Sequence, residues 1–215
     1  MPERPPTVLL TGFEPFDGAS SNPSIDAVRL LATAWDREEE LVVAELPVAY
    51  GRAVDQLEEL LRAHRPTVAV GVGLAGGRRR VSLERLAVNL RDARIPDNDG
   101  AQPVDEPVLA NGPAARWMSL PAKRIASALA EASIPAELSM TAGTYVCNTV
   151  AYHLATWAAS VQPAGTDRVR PCTGFVHVPP ADVLGVPALA GGLRLVLDVA
   201  LAGEPELAIP AGSTS

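Results

Sequence analysis

The chain has 215 residues, 47% of them hydrophobic and 20% charged, which suits a globular protein with one sizeable core. A formal charge of −7 excludes the basic face that a nucleic-acid binder presents. Two cysteines, Cys147 and Cys172, and a Met1-to-Pro6 start without an apolar signal core read as a reduced, cytoplasmic protein.

In chain order, Val8-Leu9-Leu10-Thr11 is a short apolar run halted at Gly12, a buried first strand feeding a loop. Asn22-Pro23-Ser24 opens a helix in which Ile25, Val28 and Leu31 recur at helical spacing. Leu41 to Leu46 reads as a strand. Arg52 to His64 reads as a helix with Val54, Leu57, Leu60 and Leu61 on one face, and Thr67 to Val72 as another buried strand. Gly73-Leu74-Ala75-Gly76-Gly77-Arg78 follows. It superficially suggests a phosphate loop, but lacks both the Gly-Lys-Ser/Thr ending and the dinucleotide spacing.

Within the mostly apolar run Val81 to Asn89 stands one acid, Glu84, whose partner is either a nearby arginine (Arg85, or one of Arg78 to Arg80) or a catalytic imidazole. Arg91 to Gly100 is dense in turn formers and charges and reads as a polar surface loop. A helix over Ala122 to Ser133 and a strand over Ala136 to Ser139 come next. Leu138 to Gly165 carries no Asp, Glu, Lys or Arg, but its Gly143, Asn148, His153 and Pro163 suit a buried active-site segment, not a membrane span. It contains a helix-like run, Thr149 to Ala159. Gln162 to Pro171 reads as a flexible loop, Thr173 to Val178 as a strand and Ala188 to Ala202 as the last helix, before a frayed tail over 209–215. Strands alternating with helices predict a single α/β domain whose sheet is covered on both faces, with ligands at the carboxyl ends of the strands.

Ala142-Gly143-Thr144-Tyr145-Val146-Cys147-Asn148 places a thiol at the first turn of a helix. Unpaired N–H groups there are expected to lower its pKa and to hold an oxyanion. A cysteine nucleophile requires a base. His64 lies at a helix end, and His153, six residues beyond Cys147, leaves the same helix in another direction. His177, in Gly174-Phe175-Val176-His177-Val178-Pro179, remains as either that base or a structural histidine. No His-x-x-x-His or Cys-x-x-Cys pattern points to a metal.

Taken together, Thr11-Gly12-Phe13-Glu14-Pro15-Phe16 with Asn22-Pro23-Ser24, Gly73 to Arg78, Glu84 to Asn89, Asp92 to Asn98, Ala142 to Asn148 and Gly174 to Pro179 resemble, in order, the pyroglutamyl peptidase I family of cysteine peptidases. The resemblance implies a three-layer α/β/α sandwich with a mixed, mostly parallel sheet of phosphorylase/hydrolase type. It implies a homotetramer or dimer without a cofactor, acting on peptides with an N-terminal pyroglutamate. It also implies a Cys147–His177–Glu84 triad, oxyanion support from Arg94, and a substrate pocket of Phe13, Phe16, Asn22 and Leu74. Pyroglutamate has no free amine, so its site is expected to be apolar with a few hydrogen bonds. The chain departs from the family pattern at Leu74, where some members carry Gln, at Asp17-Gly18, where Gly-Gly is common, and in a longer Gln162–Pro171 connection. The competing readings are a cysteine amidohydrolase for another cyclic or acylated amide, and a non-catalytic binding protein that kept the pocket.

Overall fold

The computed structural model describes residues 6–161 and 170–212. The elements run β1 (Thr7–Phe13), α1 (Pro23–Thr33), β2 (Glu40–Leu46), α2 (Tyr50–His64), β3 (Val68–Leu74), β4 (Val81–Glu84), β5 (Leu86–Val88) and β6 (Ala115–Trp117). They continue with α3 (Ala122–Glu131), β7 (Ala136–Ser139), α4 (Val146–Ser160), β8 (Cys172–Val178) and α5 (Val186–Ala202). Six strands form one sheet in the order β2-β1-β3-β8-β4-β7, and β5 pairs with β6 in a separate ribbon. The pairings β1–β2, β1–β3, β3–β8 and β4–β7 are parallel; β4 against β8 is antiparallel.

Alternation along the strands builds the two faces. Val8 and Leu10 of β1, Val70 and Val72 of β3, and Val176 and Val178 of β8 pack with α1, α3 and α5. Leu9, Ala69 and Phe175 point the other way, into a second cluster with α2 and α4. The molecule is therefore a three-layer α/β/α sandwich with a mixed, mostly parallel sheet.

Several elements differ from their expected bounds for tertiary reasons. β1 does not stop at Gly12. A Cβ there would lie 2.6 Å from the Ile25 backbone, so the glycine serves the close approach of α1, and the strand runs on to Phe13. α2 begins two residues early, because its first turn is capped from a distance: Asp97 Oδ2 accepts the Tyr50 N–H at 2.8 Å. Asp97 also accepts from the N–H groups of Asp99 and Ala101, so the 91–100 segment, expected as a surface loop, turns around a buried carboxylate. α3 ends at Glu131, ahead of Ser133 in the left-handed region at φ 59°. β4, β5 and β6 are too short to show a period in the sequence. The Gln162–Pro171 loop lies mostly outside the described residues, as does the end of the tail; the Ile209 carbonyl accepts from Lys123 Nζ.

On the face toward α4, β3 presents glycine twice in succession. A Cβ on Gly71 would lie 2.7 Å from the Phe175 ring, and one on Gly73 would lie 2.8 Å from Cys147 Sγ and 3.0 Å from Phe175. That flat strip lets the first turn of α4 settle onto the sheet. Gly73→Ala is expected to leave the protein folded, at a cost of about 1–3 kcal/mol of overpacking. It is also expected to push Cys147 Sγ out of place. Thermal unfolding and the rate of Cys147 alkylation measure the two effects, and wild-type values for both would overturn this account.

Candidate active site

The β3–β8 ladder sets Gly73 opposite His177, and the β4–β8 ladder sets Ser82 opposite His177 and Glu84 opposite Phe175. Glu84 and His177 are thus diagonal neighbours on one face, within reach of long side chains. His177 Nδ1 meets Glu84 Oε1 at 2.8 Å, with both side chains buried. A carboxylate oxygen accepts, so Nδ1 carries the hydrogen and Nε2 is left as the proton acceptor. The Phe175 ring stands edge-on to the imidazole, its centroid 5.0 Å away, and holds it from the sheet side.

Both alternatives open for Glu84 are realised at once. Arg78 Nη1 donates to the same Oε1 at 2.5 Å, and Arg78 Nη2 donates to the Thr141 carbonyl at 3.0 Å. Glu84 Oε2 has no hydrogen-bond partner among the described residues. Of the other histidines, His153 pairs with Glu58 at 3.3 Å, while burial pulls its pKa down. His64 ends α2.

Cys147 is the second residue of α4 and a free thiol, as is Cys172. α4 starts three residues before the expected Thr149, with the Tyr145 carbonyl accepting from the Thr149 N–H, so the N–H groups of Val146, Cys147 and Asn148 precede the helical ladder. Asn148 anchors this turn. Its side chain accepts from the Val88 N–H at 2.9 Å and donates to the carbonyls of Val88 and Leu90.

The thiol departs from expectation. Burial, reinforced by the negative charge of Glu84, pushes its pKa up to about 12; its own backbone N–H and Arg78 pull downward but do not prevail. The helix start alone does not hold a free thiolate here, because Cys147 is only partly exposed, through a small cavity, and an acid stands behind its base. Cys147 and His177 line the same cavity.

The cavity encloses about 130 Å³ and is lined by Phe13, Phe16, Asn22, Val48, Leu74, Ala142, Tyr145, Val146, Cys147 and His177. Phe13, Phe16, Asn22 and Leu74 therefore share one chamber with the thiol and the imidazole. Glu84 lies behind His177. Arg94 is exposed and is not among the lining residues.

Asn22 caps α1 through Oδ1, which accepts from the Ser24 N–H and hydroxyl, and its amide donates to the Glu14 carbonyl at 3.0 Å. Glu14 Oε1 in turn accepts from the Val48 N–H and from Asn98 Nδ2, tying three loops around the mouth. Tyr145 donates its hydroxyl to the Pro96 carbonyl and packs edge-on to Tyr50. Val48, Ala142, Tyr145 and Val146 were given no lining role in the sequence, although the last three stand in the motif around Cys147. Val48 carries no local signal, because only the fold brings the β2–α2 connection to the thiol. Asp17, next to the lining residue Phe16, takes a left-handed φ of 52°, a conformation that glycine adopts without strain. Among the described residues, no group of three or more His, Cys, Asp or Glu is placed to hold a metal ion.

Comparison with known proteins agrees with this geometry. The family model described as pyroglutamyl peptidase matches residues 6–203. The chain is 43% identical to the pyrrolidone-carboxylate peptidase of Clavibacter michiganensis, over 97% of this chain and 99% of the relative. It is 44% identical to that of Cupriavidus taiwanensis, over 94% and 96%. The crystal structure of pyroglutamyl peptidase I from Bacillus amyloliquefaciens superposes with a TM-score of 0.87 at 36% identity, covering 96% of this chain and all of that one (100%). The pyrrolidone carboxyl peptidase of Thermococcus litoralis gives 0.82 at 32% identity, covering 95% and 99%. With its sheet order, its paired buried acid and imidazole and its thiol at a helix start, the chain belongs to the pyroglutamyl peptidase family.

Proposed function

We propose that Cys147, His177 and Glu84 act as nucleophile, base and orienting acid in releasing an N-terminal pyroglutamyl residue from peptides. The activity is that of a pyroglutamyl peptidase, and the residue roles are our reading. The observation that carries them is the 2.8 Å contact between His177 Nδ1 and the buried Glu84, which leaves Nε2 free in a cavity shared with the Cys147 thiol.

His177 Nε2 takes the proton from Cys147 Sγ, and the sulfur attacks the pyroglutamyl carbonyl carbon. The N–H groups at the start of α4 receive the negative oxygen. His177 returns the proton to the departing amine, leaving a thioester. A water then gives its proton to His177 and attacks the thioester carbonyl, freeing pyroglutamate and the thiol. Because burial holds the isolated thiol protonated, proton transfer to His177 is part of activation, and the reactive species is the thiolate–imidazolium pair.

Phe13 and Phe16 supply flat walls for the lactam ring. Asn22, with a second amide hydrogen beyond its bond to Glu14, supplies a hydrogen bond. Leu74 contributes an apolar wall where a polar contact is possible in other members. Arg94, exposed and outside the cavity lining, is assigned oxyanion support on the family resemblance alone.

The site draws on β1, β3, β4, α4 and β8, which supports reading the chain as one domain. Two free thiols, one of them the nucleophile, fit a reducing compartment such as the cytoplasm. Among the described residues no helix is long and apolar enough to cross a membrane. Assembly as a homodimer or homotetramer fits the exposed side chains of Val104 and Trp117.

Two measurements test the reading. A pyroglutamyl fluorogenic amide is expected to be cleaved while matched prolyl and alanyl amides are not, and Cys147→Ala should abolish turnover. Release by the alanine variant would sink the mechanism. Iodoacetamide should alkylate wild-type Cys147 near neutral pH, whereas in His177→Ala the buried thiol, left without a proton acceptor, should react only as the pH turns strongly alkaline. Superimposable pH dependences for the two proteins would show that His177 is not the proton acceptor.

A further inference from the structure

Arg78 ends the glycine-rich run that begins at Gly73 in β3, and the sequence offered it only as one of several possible ion-pair partners of Glu84. Its guanidinium holds two things together. One nitrogen meets Glu84 Oε1, the oxygen that also receives His177 Nδ1, at 2.5 Å, and the other meets the Thr141 carbonyl at 3.0 Å. Thr141 belongs to the connection from β7 to α4, and the next residue, Ala142, lines the cavity. One rigid planar fork therefore spans the acid behind the base and the segment that delivers the nucleophile. It also supplies the positive charge touching a carboxylate whose side chain is 0% exposed and whose second oxygen has no partner among the described residues. Without a cation that carboxylate would be held by the imidazole alone, a costly arrangement.

We infer that Arg78 is a positioning residue of the reaction: it locks Glu84 Oε1 and the Thr141 carbonyl into one arrangement, so that His177 presents Nε2 to Cys147 beside a fixed positive charge. This rests on the triad roles proposed above. The titratable groups facing the Cys147–His177 pair are Glu84 from β4, Arg78 itself, Tyr145 at the start of α4 and Tyr50 on α2. Burial pushes both tyrosines up and keeps them neutral, so the balance of charge around the pair is set by Glu84 and Arg78. A nearby cation lowers the pKa of every neighbouring acid. Removing it moves both limbs of a bell-shaped pH profile toward higher pH.

The test compares Arg78→Met and Arg78→Lys with wild type. Thermal unfolding establishes that each variant folds. Hydrolysis of a pyroglutamyl amide gives kcat and KM across pH, and Cys147 alkylation by iodoacetamide across pH reads the same ionisation without substrate. Arg78→Met is expected to lower kcat roughly 10- to 100-fold, part of what a general base contributes, with KM little changed. Both limbs should rise by about one pH unit. Arg78→Lys, keeping the charge without the fork, should return the limbs to their wild-type positions and recover part of kcat.

Wild-type kcat and limbs in Arg78→Met would overturn the inference. So would equal losses in both variants with unmoved limbs, the mark of a merely structural arginine. Should Arg78→Met fail to fold, Arg78→Lys decides: a loss confined to kcat supports the role, and an unchanged kcat refutes it. Should wild type release no pyroglutamate, the triad reading fails at the assay, while the alkylation profile still decides whether Arg78 sets the charge on the pair.

Discussion

The site is organised around a carboxylate that has lost its water. Burying an ion the size of Glu84 costs several kcal/mol unless donors replace its hydration, roughly as for any enclosed charge. Here both donors converge on one oxygen, an imidazole N–H and a guanidinium N–H. The imidazole reaches it where β4 runs antiparallel to β8, the one antiparallel pairing in the six-stranded sheet among the described residues, which sets Glu84 and His177 as diagonal neighbours on the same face. Slipping that strand by one residue would turn Glu84 to the opposite face. The tautomer of His177, and with it the lone pair offered to the thiol, follows from this single contact.

The position of the Cys147 thiol depends on a second constraint, steric where the first is electrostatic. α4 must bring its first turn against the sheet, and a side chain on the α4-facing positions of β3 would stand in its way. Gly71 and Gly73 remove that obstacle, one making room for the Phe175 ring and the other for Cys147 Sγ. Asn148 then pins the turn to the backbone around Val88 and Leu90. The same closeness desolvates the thiol, and burial together with the charge of Glu84 is why its pKa is pushed up. Helix start, glycine strip and buried acid are parts of one arrangement.

Much of this was legible in the chain alone. The long helices and the buried strands are written in apolar periodicity and in caps such as Asn22-Pro23, which act locally. The candidate nucleophile was marked by its small, polar lead-in, and the base by elimination among the histidines. The resemblance to a peptidase family named the acid, which periodicity left undecided between an arginine and an imidazole. What had no local signature was the short β4, whose four residues carry decisive register but no period, and the reach of Asp97 across the fold to start α2. Nor could any window of sequence bring Val48 and Tyr145 to the same chamber wall.

By itself, then, the sequence determined the α/β layering, because alternation and helical spacing are short-range properties, and it narrowed the candidate thiol and imidazole, because few residues of either type exist in the chain. Only the tertiary structure decided that Glu84 serves two partners through one oxygen, that Arg78 rather than Arg79, Arg80 or Arg85 is the second, and that the Cys147 thiol is raised and not lowered. Each of these is a matter of distance and burial between strands far apart in the chain, and electrostatic energies depend on the dielectric surroundings that folding creates.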